Sequence, residues 1–252
     1  MNNKSLLKNN ERIDQLFSEG VEIIQSAEVF SFSIDAVLLA NFAEVKKSQN
    51  TNIVDLCAGN GAVGLFVSHR TQGHISMVEI QPRLADMAER SVKLNHLEKQ
   101  INVFNQDLNN SEKVIAPDSI DAVLCNPPYF KVSEKSIKNP NSYLAIARHE
   151  LKTDLESVLT VSSRLLKMNG KLFLVHRPDR LGEILNMMEK TRLSPKRIQF
   201  AYGHDEEEAN VVLIEAIKDG KSGGVRIMPP IIEYEGSEYS EEMKAMLYGN
   251  PS

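Results

Sequence analysis

Four consecutive residues, Asn126, Pro127, Pro128 and Tyr129, are of the types needed to hold a planar amino group for alkylation. Such an amine is a poor nucleophile because its lone pair is delocalised. If the side-chain oxygen of Asn126 and the carbonyl of Pro127 each accept one N–H, the lone pair turns toward an electrophilic methyl group. Paired prolines stiffen this backbone, and Tyr129 offers a ring face for stacking. The tetrad predicts amino-group methylation driven by positioning and electrostatics.

A glycine-rich turn upstream predicts a nucleotide-like ligand. Gly59, Gly61 and Gly64 follow an apolar strand pattern, and Glu79 lies 20 residues beyond Gly59 at the end of the next strand pattern. Glycines at this position allow a ligand to approach the backbone, and the acid accepts hydroxyl groups of an adenosine ribose. NAD and S-adenosylmethionine share that ribose, so Glu79 fits both.

Two further acids bear on the choice of ligand. Asp55 lies four residues before Gly59, where it would repel a pyrophosphate but favour the cationic methionine portion of S-adenosylmethionine. Asp107 follows the third strand pattern, where it is placed to accept from an adenine amino group. For Asp107 alone, a solvated turn residue is an equally good interpretation.

The elements that position these residues alternate between short β-branched runs and segments of helical period. This alternation predicts an α/β fold with a doubly wound, mostly parallel Rossmann-like sheet, helices on both faces and an antiparallel edge hairpin. The first and fourth core strands are then neighbours where chain order reverses, so the glycine turn and the tetrad meet at one crevice. Strands are predicted at 52–56, 74–79, 101–104, 119–125, 171–176, 198–202 and 210–217.

The sequence divides into three predicted parts. Residues 1–45 form an N-terminal extension, with a short strand at 21–25 and a buried helix at 33–42 that carries Asp35 in its first turn and forms a lid. Residues 46–218 form the core domain. Residues 219–252 contain Gly, Pro and several acids, and we expect irregular or flexible structure there. Gly170 is expected to end the helix that starts near Asp154.

Composition limits the classes of function. A formal net charge of −5 argues against a protein that coats nucleic acid or anionic membranes, so RNA contacts need a local basic patch. The two cysteines, Cys57 and Cys125, lack metal-ligand spacing, and we expect no metal. A disulfide between them stays open on spacing alone, although buried thiols are favoured in a reducing compartment. No apolar run is long enough to span a bilayer, so we expect a cytoplasmic protein.

Seven stretches resemble the bacterial valine-tRNA (adenine-N6)-methyltransferase family, within the class I S-adenosylmethionine-dependent methyltransferases. Cys57 departs from the first glycine found in many class I members. The resemblance covers nearly the whole chain and includes FSFSIDAVLLA at 30–40, DLCAGNG at 55–61, EIQ at 79–81, NPPY at 126–129, RHE at 148–150, RPDRL at 177–181 and MPP at 228–230.

The resemblance implies N6-methylation of the adenine beside the anticodon of a valine tRNA, with S-adenosylmethionine as cofactor. The catalytic residues would be the tetrad at 126–129. Cofactor contacts would come from Asp35, Asp55, Ala58, Gly59, Asn60, Gly61, Glu79, Ile80, Asp107 and Asn126. The polar loop after the tetrad carries the basic residues expected to grip tRNA phosphates, namely Lys131, Lys135, Lys138 and Arg148. A solvated loop explains those residues equally well.

Other functions fit part of the pattern. A protein glutamine-N5 methyltransferase and an rRNA guanine-N2 methyltransferase would use a similar tetrad. A DNA adenine methyltransferase would need a separate sequence-reading domain, for which no segment is long enough. An NAD-dependent dehydrogenase explains the glycines and Glu79 but not the tetrad, and a non-catalytic binding protein would have no use for it.

Overall fold

The computed structural model describes residues 3–16, 18, 20–29, 32–129 and 153–249. The core strands are β3 (Asn52–Leu56), β4 (His74–Glu79), β5 (Ile101–Asn105), β6 (Ile120–Cys125), β7 (Leu166–His176), β8 (Leu193–Tyr202) and β9 (Ala209–Lys218), joined at the edge by β10 (Arg226–Ile227) and β11 (Ile231–Ile232). Within the described residues they form a nine-stranded sheet ordered β10-β8-β9-β7-β6-β3-β4-β5, with β11 also paired to β8. Strands β3 to β7 run parallel, and β9 is antiparallel to both β7 and β8. The predicted fold class is confirmed.

Helices cover both faces of this sheet because successive strand residues point to opposite sides. The helices are α1 (Ile34–Phe42), α2 (Ala62–Ser68), α3 (Pro82–Leu94), α4 (Leu155–Leu165), α5 (Leu181–Lys190) and α6 (Glu241–Tyr248). In β3, Ile53 belongs to one apolar cluster and Val54 to the other. The first cluster packs beneath α1, α2 and α6, and the second beneath α4 and α5.

The chain order reverses between β3 and β6. From β3 the chain moves outward through β4 and β5, then returns to place β6 on the other side of β3, with Leu56 opposite Cys125. The carboxyl ends of β3 and β6 therefore lie side by side. This adjacency was predicted, and it brings the glycine turn after β3 beside the tetrad after β6.

The N-terminal segment contains a hairpin of which the sequence predicted only one strand. Strand β1 (Glu11–Leu16) pairs antiparallel with β2 (Val21–Ser26). The hairpin packs on α3, where Ser91 Oγ accepts from the backbone N–H of Ile24 at 3.0 Å. The alternating charges of β1 hid it. Arg12 and Gln15 are exposed, while Ile13 packs against the apolar cluster on α3 and the Glu11 side chain is buried in an ion pair with Arg90.

The C-terminal segment is folded, so the expectation of irregular or flexible structure is wrong. Strands β10 and β11 extend the sheet beside β8, and β12 (Tyr234–Glu235) pairs with β13 (Glu238–Tyr239). Helix α6 buries Met243 against the core cluster below α1. Little sign of the short strands is visible in the sequence because each is only two residues long. Strands β10 and β11 also depend on β8 for their partners.

Helix α4 ends earlier than the sequence predicted. The helix ends at Leu165, not at Gly170, and β7 begins at Leu166. The left-handed residue in this segment is Asn169, with φ 63°. Gly170 lies inside the strand, where an added Cβ would be 2.9 Å from the Lys167 carbonyl oxygen. Glycine is needed there for close approach of backbone, not to end a helix.

Candidate active site

A cavity of about 330 Å³ lies at the carboxyl ends of β3, β4 and β6. Helix α1 closes it on one side. Most of the predicted site residues line it, namely Asp35, Ala58, Gly59, Asn60, Glu79, Ile80, Asn126, Pro127, Pro128 and Tyr129. Three predicted residues, Asp55, Gly61 and Asp107, are not on its wall. The structure thus brings together two motifs separated by more than sixty positions in the sequence.

The glycine turn depends on close packing below it. Gly61 has φ 89°, and a Cβ there would lie 3.2 Å from the Ala88 side chain. Gly64 lies in the first turn of α2, and a Cβ there would lie 2.5 Å from Met77 Cε. These glycines let α2 pack closely against β4 and α3, which fixes the position of the turn relative to the sheet. Their role in the structure is packing, while Gly59 reaches the cavity wall.

Cys57 begins the turn in a conformation that favours glycine. Its φ is 58°, in the left-handed region, and its side chain lines the cavity. A glycine adopts this conformation without strain, which explains why many class I methyltransferases have glycine where this chain has Cys57. Burial raises the pKa of the neighbouring Cys125 thiol well above its usual range, and contact with Cys57 adds to the effect. Both cysteines are free thiols.

Glu79 organises the turn from the end of β4. One carboxylate oxygen accepts from the backbone N–H of Gly59 at 2.8 Å, and the other accepts from that of Gln81 at 2.8 Å. Burial raises the pKa of Glu79, and hydrogen bonds from the backbone N–H groups of Gln81, Gly59 and Ile80 oppose the rise. Because each carboxylate oxygen has two lone pairs, the group can still accept from a ribose hydroxyl group.

Asp55 lies beneath the turn rather than on the cavity wall. It is 1% exposed, and one carboxylate oxygen accepts from the backbone N–H of Gly64 at 2.9 Å. The other carboxylate oxygen has no hydrogen-bond partner among the described residues. Burial raises the pKa of Asp55 to about 7, against the hydrogen bond from Gly64 and with a contribution from Glu79. The Asp55 side chain therefore makes no direct contact with the cavity.

Asp107 caps a short 3-10 helix. Its carboxylate accepts from the backbone N–H of Asn109 at 2.9 Å, at the start of the turn Leu108–Lys113. Its neighbours Gln106 and Leu108 line the cavity instead. Asp107 therefore has the geometry of a turn residue. Gln106, which the sequence pattern did not indicate, is the polar residue that lines the cavity here.

The tetrad is held from both sides. The Tyr129 hydroxyl oxygen lies 2.8 Å from Asp35 Oδ2 and 2.5 Å from Asn126 Oδ1. Arg180, at the start of α5, donates to the Tyr129 main-chain carbonyl at 3.1 Å. The Tyr129 ring packs against the ring of His176, with centroids 5.2 Å apart. The tetrad is therefore a fixed arrangement that links α1, β6 and α5.

His176 and Arg180 are supporting residues that the sequence did not assign to the site. His176 is fully buried, and its Nδ1 accepts from the backbone N–H of Arg177 at 2.8 Å. Burial, with help from Arg180, lowers the pKa of His176 to about 4, so the ring is neutral. The only signal for Arg180 was its place in the RPDRL stretch.

The predicted RNA-binding residues lie outside the described part of the chain. These are Lys131, Lys135, Lys138 and Arg148. Among the residues that the structure does describe, no helix has the length and apolar character needed to cross a bilayer.

Comparison with known proteins assigns the family. A family model described as the methyltransferase small domain matches residues 20–191, which include the glycine turn, Glu79 and the tetrad. The chain belongs to this family. The methyltransferase is thus an enzyme whose two motifs, one at β3 and one at β6, both fall within the matched region.

Several curated relatives carry one name, tRNA1(Val) (adenine(37)-N6)-methyltransferase. One from Porphyromonas gingivalis is 26% identical, and the match covers 86% of this chain and 89% of the relative. One from Shewanella sediminis is 24% identical, covering 86% and 90%. The match to one from Aliivibrio salmonicida is 29% identical and spans only 56% of that protein.

Solved structures share the fold of this methyltransferase. A protein from Agrobacterium tumefaciens, described as a predicted O-methyltransferase, superposes with a TM-score of 0.67 at 22% identity, covering 85% of this chain and 96% of that one. The geranyl diphosphate C-methyltransferase of Streptomyces coelicolor, solved with S-adenosyl-L-homocysteine, gives 0.55 at 14% identity, covering 73% and 75%.

Proposed function

We propose that this methyltransferase transfers the methyl group of S-adenosylmethionine to the exocyclic N6 nitrogen of an adenine in tRNA. The observation that carries the proposal is that the tetrad and Glu79 line the same cavity. A dehydrogenase would need Glu79 but not Asn126 and the two prolines. The tRNA substrate is supported by the shared name of relatives that match most of this chain.

The cavity has groups suited to S-adenosylmethionine. Glu79 supplies a carboxylate for the ribose hydroxyl groups, and Ile80, Leu84 and Leu108 give the wall an apolar surface for an adenine ring. Direct contacts are proposed for Ala58, Gly59, Asn60, Glu79, Ile80 and Asn126. When bound, S-adenosylmethionine supplies a methyl carbon on a positively charged sulfur, which is open to in-line attack by nitrogen.

The protein groups then position the target amine. The Asn126 side-chain oxygen and the Pro127 carbonyl each accept one N–H of the substrate, which turns the nitrogen lone pair toward the methyl group. The Tyr129 ring stacks on the base. No strong base is needed, because the proton leaves after the nitrogen has become cationic. The barrier falls through orientation and through acceptors already in place.

The flanking RNA is proposed to contact Lys131, Lys135, Lys138 and Arg148, on the basis of sequence alone. By resemblance, the base is the adenine beside the anticodon of a valine tRNA, and the enzyme works where tRNA is matured, in the cytoplasm. The N-terminal extension is proposed to act as a lid. Support for the lid comes from Phe32 and Ser33, which line the cavity just ahead of α1.

Transfer of labelled methyl from S-adenosylmethionine to total tRNA tests the substrate directly. The tRNA is taken from cells that lack the enzyme, digested to nucleosides and separated. Label is expected in N6-methyladenosine. Label in N2-methylguanosine, or in glutamine of a protein fraction offered in parallel, would replace the proposed substrate while leaving amino methylation intact.

Reversing charge in the loop after the tetrad should weaken tRNA binding. The variant Lys135→Glu with Lys138→Glu removes two cations, so the slope of log Kd against log salt should flatten by about one to two. Lys99→Glu, at an exposed lysine just before β5 at the opposite edge of the sheet, is the matched control. Equal salt slopes in wild type and the double variant would assign these lysines to a solvated loop.

A further inference from the structure

The Tyr129 hydroxyl group lies between two acceptor oxygens. Its oxygen is 2.8 Å from Asp35 Oδ2 and 2.5 Å from Asn126 Oδ1. A phenol has one proton, and a carboxylate has none to offer. Tyr129 therefore cannot donate to both oxygens at once. One of the two contacts must have its donor elsewhere.

The charged acceptor takes the proton. Hydrogen bonds to a carboxylate are roughly twice as strong as those to a neutral amide oxygen. Burial and the Asp35 carboxylate also raise the pKa of Tyr129 well above its usual range, so the phenol keeps its proton. The lone pairs of the phenol oxygen are then left facing Asn126, and they require a donor there.

Asn126 supplies that donor by the orientation of its amide. The oxygen and nitrogen of a carboxamide have nearly the same shape, and the hydrogen-bond network decides which atom occupies which place. With the Asn126 nitrogen against the Tyr129 oxygen, the amide donates to the phenol and its own oxygen is free. The two atoms then stand at the ~2.9 Å of an N–H···O bond rather than at 2.5 Å. That oxygen is the atom that must accept from the substrate amine.

We propose that Asp35 is a positioning residue that acts through Tyr129 to hold Asn126 with its side-chain oxygen available to the substrate amine. The inference rests on the proposed amino methylation and gives Asp35 a part on the nucleophile side of the cavity. Without Asp35, the phenol proton goes to Asn126 Oδ1, which occupies the lone pair that the substrate needs. If Asp35 contacts the cofactor, its loss should weaken cofactor binding. If Asp35 positions Asn126, its loss should lower kcat and leave cofactor binding unchanged.

A double-mutant cycle separates those roles. Asp35→Ala and Tyr129→Phe should each lower kcat by about 10- to 100-fold, and the double variant should be no slower than the slower single one, because both remove the same orienting contact. The Kd for S-adenosyl-L-homocysteine, measured by calorimetry, should stay within about three-fold. Glu98→Gln, at an exposed acid just before β5, is the control and should match wild type. Asp35→Asn takes the place of Asp35→Ala if the alanine variant does not fold.

Two outcomes overturn the proposal. Losses that add in the double variant would show that Asp35 and Tyr129 act independently. A loss of about ten-fold or more in S-adenosyl-L-homocysteine affinity, with kcat unchanged at saturating cofactor, would make Asp35 a cofactor ligand instead. If wild type methylates another amine, the cycle is run on that amine, so a wrong substrate and a wrong role for Asp35 give different results.

A measurement without substrate completes the test. In a nitrogen-proton correlation spectrum, the Asn126 side-chain amide is assigned by its absence in Asn126→Ala. One of its protons should exchange slowly in wild type, because it is donated to Tyr129, and should exchange faster in Tyr129→Phe and Asp35→Ala. Equal exchange in wild type and Tyr129→Phe would mean that the amide nitrogen does not face the phenol.

Discussion

Replacing Asn126 with alanine should lower kcat by about 1000-fold or more, while cofactor affinity stays within a few-fold. The reason is chemical: without the amide oxygen, the amine lone pair stays delocalised into its ring and is not directed at the methyl group. Single-turnover methyl transfer measures the loss, and calorimetry with S-adenosyl-L-homocysteine measures binding. We expect kcat to fall without a matching loss of cofactor affinity because the two functions lie on different strands. Asn126 follows β6, while Glu79, the proposed ribose acceptor, ends β4.

Asn50→Ala serves as the matched control for that experiment. Asn50 is an exposed asparagine that precedes β3, at the opposite edge of the sheet from the cavity. Its variant should keep wild-type kcat. If Asn126→Ala instead abolished S-adenosyl-L-homocysteine binding in a folded protein, Asn126 would be a cofactor ligand first, and the assignment of the tetrad to the substrate amine would be wrong.

Asp55→Asn should make the protein more stable above pH 7 and flatten the pH dependence of its unfolding free energy. Burial raises the pKa of Asp55 to about 7, from 3.8. Between these values the folded state binds more protons than the unfolded state, so this group's contribution to stability falls as pH rises from about 4 to about 7. The full difference corresponds to roughly 4 kcal/mol.

Urea unfolding at several pH values between about 4 and about 8 measures the effect. The Asp55→Asn variant keeps a side-chain oxygen that can accept from the Gly64 N–H, so the turn should stay in place. Glu98→Gln makes the same change from carboxylate to amide on an exposed residue and should follow the wild-type curve. An unchanged pH slope in Asp55→Asn would show that the buried charge carries no net stability cost.

A buried carboxylate kept at such a cost calls for a function. We propose that it is the electrostatic partner predicted from the sequence, acting through the turn on the cationic sulfur and ammonium groups of the cofactor. The same variant tests this idea. Asp55→Asn should weaken binding of S-adenosylmethionine more than that of S-adenosyl-L-homocysteine, because only the first carries the sulfonium charge. An equal change for both ligands would contradict it.

The sequence by itself determined the parts of this protein that depend on local pattern. Strand β6 has an apolar run, Pro82 starts α3 at its first position, and Asp154 caps α4 by accepting from the N–H of Ser157. Hydrophobic periodicity and helix capping involve residues only a few positions apart, so they can be recognised from the sequence alone. The tetrad and the glycine turn are equally local, and the parallel pattern sufficed to place them at one edge.

Only the tertiary structure decided where side chains point and which distant residues meet. Asp35 and Tyr129 are 94 positions apart, and no spacing rule links them. Asp55 turns inward to the Gly64 N–H, and Asp107 turns to its own helix, because a carboxylate bonds whichever donor its backbone conformation presents. Strands β10 and β11 form because β8 offers unpaired backbone groups. Strand pairing and side-chain orientation depend on residues that are distant in the sequence, and the sequence pattern does not identify those residues.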